Sequence, residues 1–174
     1  GESGKSLSQL LSLAGLTRSD CYITNVAKCW PDSNKIGKQK APTKKQQQTC
    51  GDLFLKREVD LIKPGIILTL GATALKYFLP NDSITDVHGQ LLEIDGVPLV
   101  AMYHPAAAMY NPQLNQTLAD DFKRLPDLIN RFTEGEYKQD IPSEIVQVED
   151  FLELFSDVNG IVAVDFETTD LRTH

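Results

Sequence analysis

Apolar positions recur along this chain at two periods, one of helices and one of strands. Leu7, Leu10, Leu11 and Ala14 share one face of a helix, with Gly15 as its C-terminal cap, and Cys21 to Val26 then reads as a buried strand. Thr43 is placed to cap a helix running toward Ile62, which Lys63-Pro64-Gly65 ends. Ile66-Ile-Leu-Thr-Leu70 is short and almost continuously apolar, the pattern of a parallel strand covered on both faces. Gly71 opens a further helix through Phe78. Gln90 to Ala101 predicts a hairpin in which Asp95-Gly96 supplies the tight turn, and its second arm runs into Met102-Tyr103-His104-Pro105. An amphipathic helix from Pro112, kinked or interrupted at Pro126, carries the chain to Phe132.

Strands alternating with helices in this order imply an α/β layer fold with a largely parallel sheet. Ligands of such sheets sit beyond the carboxyl ends of the strands, where Asn25 and His104 both fall. The stretch Thr133 to Asp140 is polar and lacks an apolar period, which marks a boundary or linker. A new unit is expected after Pro142. Ile145 to Val148 reads as a strand, Glu149 to Asp157 as a helix, and Gly160 to Glu167 as a buried strand ending in two carboxylates. Asp165 and Glu167 stand two residues apart, so an extended strand sets them on one face. Such paired hard oxygens suit Mg²⁺ or Mn²⁺, and an acidic strand end that merely faces solvent fits the same pattern.

Composition narrows the partners. The 174 residues are enough for one domain, or one domain and part of another. With 24 acids against 17 bases the net charge is -7, which excludes a protein coated over its whole surface by nucleic acid. Yet no acid occurs from Asn34 to Gly51, while Lys35, Lys38, Lys40, Lys44 and Lys45 crowd that segment. A solvated charged loop and a phosphate-tracking loop both account for it. No apolar run reaches the length of a membrane span and no leader pattern is present, so a cytoplasmic protein is expected, with no membrane partner. The 3 cysteines form an odd set without a secretory context, so a disulfide framework is not expected. Cys21 reads as a small buried hydrophobe, whereas Cys29 and Cys50 are either structural thiols or half of a four-cysteine site.

Several short motifs, weak singly, are specific in their order and spacing. They are Gly1-Glu-Ser-Gly4 leading to Leu10-Leu11 and Ala14-Gly-Leu16, Tyr22-Ile-Thr-Asn-Val-Ala-Lys-Cys29 with Pro31, Leu70-Gly71 with Ala74, and Tyr103-His-Pro-Ala106 with Asn111-Pro112. Through them residues 1 to about 132 resemble the greater part of a family-4 uracil-DNA glycosylase, the iron-sulfur branch of that superfamily. Through Val164-Asp-Phe-Glu-Thr-Thr-Asp-Leu171, residues 143–174 resemble the opening of the 3′-5′ exonuclease domain of family A DNA polymerases. That combination is similar to polymerases of certain large bacterial viruses, so the chain resembles a window in a longer replication protein. The resemblance divides it into a glycosylase-like domain at 1–133, a linker at 134–142 and the start of an exonuclease at 143–174. It implies a three-layer α/β/α fold with a mostly parallel central sheet, followed by the opening β-α-β of a ribonuclease H-like fold.

The resemblance also assigns roles. A glycosylase draws the base out of the stack and reads its Watson-Crick edge in a tight pocket. Asn25, with an amide acceptor and donors, would read N3–H and O4 of uracil, and His104 would donate to O2 as charge develops on the departing base. Pro105 and Ala106 would carry the DNA-contacting loop, with Met109 as a wedge in the gap left by the flipped nucleotide. Cys29 and Cys50 match two ligands of an iron-sulfur cluster, and Asp165 and Glu167 the first Mg²⁺- or Mn²⁺-binding acids of the exonuclease. Trp30 would stack on a base or cover the core, and His88 receives no role. The implied partners are single-stranded or uracil-containing DNA and the remainder of a polymerase. The family's water-positioning motif and first, central strand would lie before Gly1, so the sheet should be marginal unless another segment fills the gap. Three functions compete: uracil excision, DNA binding without excision, and a segment of a proofreading nuclease.

Overall fold

The structure is a computed structural model that describes residues 1–28, 42–133 and 161–165. Helix α1 (Glu2–Leu13) buries Leu7, Leu10 and Leu11, and after a 3₁₀ turn at Arg18–Asp20 the chain enters strand β1 (Cys21–Asn25). Helix α2 (Lys44–Cys50) begins where its sequence places a capping box. The Gln46 N–H donates to Thr43 Oγ1 at 3.3 Å and the Thr43 N–H donates to Gln46 Oε1 at 2.8 Å. The expected long helix does run toward Ile62, but through a π-helical turn at Gly51–Leu55 before α3 (Lys56–Ile62). Lys63, in the left-handed region at φ 48°, closes it.

Strand β2 (Ile66–Leu70) is buried at every position, as its apolar run predicts, and helix α4 (Ala72–Phe78) comes directly after Gly71. After the short helix α5 (Ile84–Val87) come β3 (Leu91–Ile94) and β4 (Val97–Met102), an antiparallel pair joined at Asp95-Gly96. Both turn residues have positive φ, 50° and 80°, which is the geometry of a type I′ hairpin. A one-turn helix α6 (Ala107–Tyr110) leads to α7 (Leu114–Thr133), which continues through Pro126 without interruption. Pro126 has no N–H to give, so the helical bond to the Phe122 carbonyl is absent while the buried face of Leu118, Phe122 and Leu125 holds the helix together.

The sheet explains how this order of elements closes. Its five strands lie in the order β1-β5-β2-β4-β3, where β5 is Ile161–Asp165. The place between β1 and β2 that the resemblance leaves open is therefore filled from the far end of the sequence. Strand β5 runs parallel to both neighbours, Cys21 to Asn25 facing Ile161 to Asp165 in register, and Ile66 to Thr69 facing Ile161 to Val164. Residues 161–165 thus belong to the same sheet as β1 to β4. The expected strand at 145–148 and helix at 149–157 lie outside the described residues.

Two cores sandwich the sheet. Alternate residues of β2 and β4, namely Ile66, Leu68, Leu70, Val100 and Met102, face α1 and α7, while Ile67, Leu99 and Ala101 face Leu55, Ala74 and Leu75 on the opposite side. The result is the three-layer α/β/α arrangement with a mostly parallel sheet.

Candidate active site

Parallel strands bring β1, β5, β2 and β4 to one common carboxyl edge, and the motif residues collect there. Asn25 ends β1 with an exposed side chain, and its register partner is Asp165 at the end of β5. On β2 and β4, Leu70 is level with Met102, so Gly71 and His104 leave the sheet together. The Gly71 N–H donates to the Met102 carbonyl at 2.8 Å. Gly71 holds φ at 89°, and a Cβ there would stand 3.0 Å from the Cβ of His104, so the imidazole's root rests directly on the glycine. Asn25 and His104 are separated by three strand spacings, about 14 Å at about 4.8 Å each, a width that two side chains and a pyrimidine can bridge.

The tautomer of His104 is set by its loop. The Ala106 N–H donates to His104 Nδ1 at 3.0 Å, and the Ala107 N–H donates to the His104 carbonyl at 2.8 Å. With Nδ1 accepting, the ring hydrogen sits on Nε2, a nitrogen shielded from solvent. The loop therefore fixes the orientation of the ring, with its Nε2–H held inside the wall of the site. Pro105 is buried and Ala106 half-buried, so they shape the loop, while Met109 on α6 is 61% exposed. Tyr110 beside it is 89% exposed, an aromatic at the same rim that the sequence patterns do not single out.

A second residue escapes sequence reasoning. His88 Nδ1 lies 2.7 Å from Asp121 Oδ2, Arg124 Nη2 donates to Asp121 Oδ1 at 2.5 Å, and Asp121 is 1% exposed. The ring of His88 also packs at a 40° tilt against Tyr103, centroids 4.8 Å apart. Tyr103 immediately precedes His104, so His88, Asp121 and Arg124 brace the wall from which His104 projects. No local motif could announce this, because Asp121 comes 33 residues after His88 on another element.

Of the expected DNA-contacting lysines, Lys44 and Lys45 stand exposed in the first turn of α2, and Lys35, Lys38 and Lys40 lie outside the described residues. Lys28, inside the first motif, is committed elsewhere: its ammonium donates to Thr24 Oγ1 and pairs with Glu58 Oε2 at 2.5 Å. Cys50 is buried at the end of α2, whereas Cys29, Trp30 and Glu167 lie outside the described residues. No group of three His, Cys, Asp or Glu among the described residues is placed to hold a metal ion. Among the described residues Cys50 alone stands for the two expected cluster cysteines, which does not make a cubane site, and no step is derived through one. Cys21 is half-buried, and burial, then the charge of Asp20, pushes its thiol up to about 11. Among the described residues, no helix is long and apolar enough to cross a membrane.

Known proteins are similar to this chain in sequence. A type-4 uracil-DNA glycosylase of Archaeoglobus fulgidus is 36% identical over 140 residues, covering 75% of this chain and 67% of the relative. A second, from Thermotoga maritima, is 33% identical over 136 residues, covering 75% of this chain and 68% of the relative. A DNA polymerase of Bacillus phage SP01 is 27% identical over 178 residues, covering 97% of this chain and 18% of that protein. The chain thus spans about two thirds of these glycosylases and a small part of the polymerase. The family model for the uracil DNA glycosylase superfamily matches residues 1–127, and the chain belongs to that superfamily.

Proposed function

We propose that this chain recognises uracil in DNA and hydrolyses its N-glycosidic bond, as a type-4-like domain within a DNA polymerase. The observation that carries the chemistry is the locked imidazole: Nδ1 accepts from the Ala106 N–H, so Nε2–H is the donor that would meet a substrate oxygen. Breaking the bond between C1′ and N1 leaves its electron pair on uracil, while the oxygen of water bonds to C1′ and a water proton is released. Brought to O2, that donor would stabilise the developing anion. Asn25, at the opposite end of the edge, supplies the acceptor for N3–H and the donor for O4 that distinguish uracil from cytosine. Met109 and Tyr110 form an exposed apolar rim suited to filling the gap in the base stack.

The polymerase context rests on the phage relative, whose similarity runs along nearly the whole chain rather than stopping with the glycosylase motifs. For residues 143–174 the exonuclease reading would require Asp165 and Glu167 to join further acids around Mg²⁺ or Mn²⁺. Strand β5 has both of its edges taken by β1 and β2, which favours the glycosylase sheet as its place.

The test is single-turnover release of uracil from a labelled single-stranded oligonucleotide, with binding measured in parallel. His104→Ala should slow release about 10²- to 10³-fold while binding persists. Asn25→Ala should abolish the preference for uracil over cytosine. Tight, salt-sensitive binding with no release by the unaltered protein would overturn excision and leave a DNA-recognition module.

A further inference from the structure

We propose that the cleft between α2 and α4 seats a backbone phosphate of the bound DNA strand, gripped by Lys44 and Lys76. The proposal deepens the DNA reading above and rests on it. The cleft has a volume of about 360 Å³ and is lined by Lys44, Gln47, Gln48, Thr73, Lys76 and Tyr77, with Ala72 and Pro80 at its ends. Lys44 and Lys76 come from different helices, both are exposed, and neither has an ion pair or hydrogen bond among the described residues. They differ in this from Lys28, whose charge Glu58 already neutralises.

Asp52, the acid that two lining residues contact, is itself occupied. Gln48 Nε2 donates to Asp52 Oδ1 at 3.0 Å and to Oδ2 at 3.2 Å, and the Tyr77 hydroxyl donates to Asp52 Oδ1 at 3.2 Å. Gln47 Nε2 is likewise spent on the Pro42 carbonyl at 2.8 Å. Two unpaired ammonium groups and the Thr73 hydroxyl therefore remain to recognise an occupant, and that set suits a phosphodiester held by charge without base readout. The cleft's location selects DNA as the source of the phosphate. Its Ala72 wall adjoins Gly71, the residue on which His104 rests, so a strand leaving the base pocket along α4 enters the cleft next.

The experiment is fluorescence anisotropy of a labelled, mixed-sequence single strand against salt concentration. It uses the unaltered chain, Lys44→Met, Lys76→Met, the double variant and Lys5→Met. Methionine keeps the apolar stem and removes only the charge. Each lysine lost should reduce the slope of log K against log salt by about 0.7, and the pair by about 1.4, equally for every base sequence. Lys5→Met, which removes a charge already paired with Glu2 on α1, should leave the slope unchanged. A single methylphosphonate linkage walked along the strand should weaken the unaltered chain at one linkage beside the uracil and leave the double variant indifferent there. If the unaltered chain binds and the double variant keeps its slope, the cleft proposal is overturned and the DNA reading survives. If the unaltered chain does not bind, the DNA reading itself fails. Protection of the unaltered chain by inorganic phosphate, lost in the double variant while its DNA slope stays intact, would reassign the cleft to free phosphate and overturn the proposal. Matching melting curves identify the variants as folded.

Discussion

Two residues show how far single side chains set the chemistry. His104 is held from two sides, by the Ala106 N–H on Nδ1 and by Gly71 beneath its Cβ. Gly71→Ala should therefore act twice. A non-glycine residue at φ 89° costs about 1 to 3 kcal/mol, and the new methyl must push His104 or the loop aside. The expected outcome is a lowered Tm together with slower uracil release and little change in DNA affinity; unchanged release would mean that the imidazole does not depend on this seat. Cys21 gives a pH signature. Its thiol ionises near 11 in the folded chain against an ordinary value of 9.0, because burial disfavours the thiolate. The protonated form is thus preferred in the native state. The stability it lends is intact below about pH 9 and is lost as pH rises toward about 11. At pH 8 its alkylation should run about a hundredfold slower than that of a free thiol, read by peptide mass mapping, and equal rates would show that the thiol is open to solvent.

At the scale of elements, what the sequence made legible was whatever local spacing encodes. The apolar run Ile66 to Leu70 announced a strand covered on both faces, Thr43 announced a helix start, and Asp95-Gly96 announced a hairpin. Pairing between distant elements carries no local signal, and there the sequence fell silent. Neither the clasp of His88 by Asp121 nor the seat of β5 between β1 and β2 can be read from spacing, and the π turn at Gly51–Leu55 hides inside an otherwise regular helical pattern. The central strand also supplies the sharpest test of the architecture. Ala163 pairs with Ile23 on one side and Leu68 on the other. Proline at that position removes a ladder donor from a strand with no free edge. Ala163→Pro should abolish cooperative thermal unfolding and expose sheet edges that aggregate, monitored by circular dichroism and size-exclusion chromatography. A variant that melts normally would mean that β5 is dispensable to the sheet.

For the molecule as a whole, function depends on an uneven surface rather than on net charge. A chain of net charge -7 is repelled by DNA at long range, so close approach depends on local cations, with Lys44 and Lys76 facing one cleft beside the carboxyl edge. The carboxyl-edge location of Asn25 and His104 was legible from strand order alone, because parallel sheets place their loops there. The cleft was not, since its two lysines lie 32 positions apart and only the placing of α2 and α4 on either side of it unites them. The seat of β5 has a temporal meaning as well. Among the described strands it comes last in the chain, and β1 and β2 each pair with it and not with each other. Closing the sheet requires contacts of long sequence separation, the kind that folds slowly and late. Because β5 stands between β1 and the β2-β4-β3 group, the spacing of Asn25 from His104 is set by a strand that follows both of them in the chain.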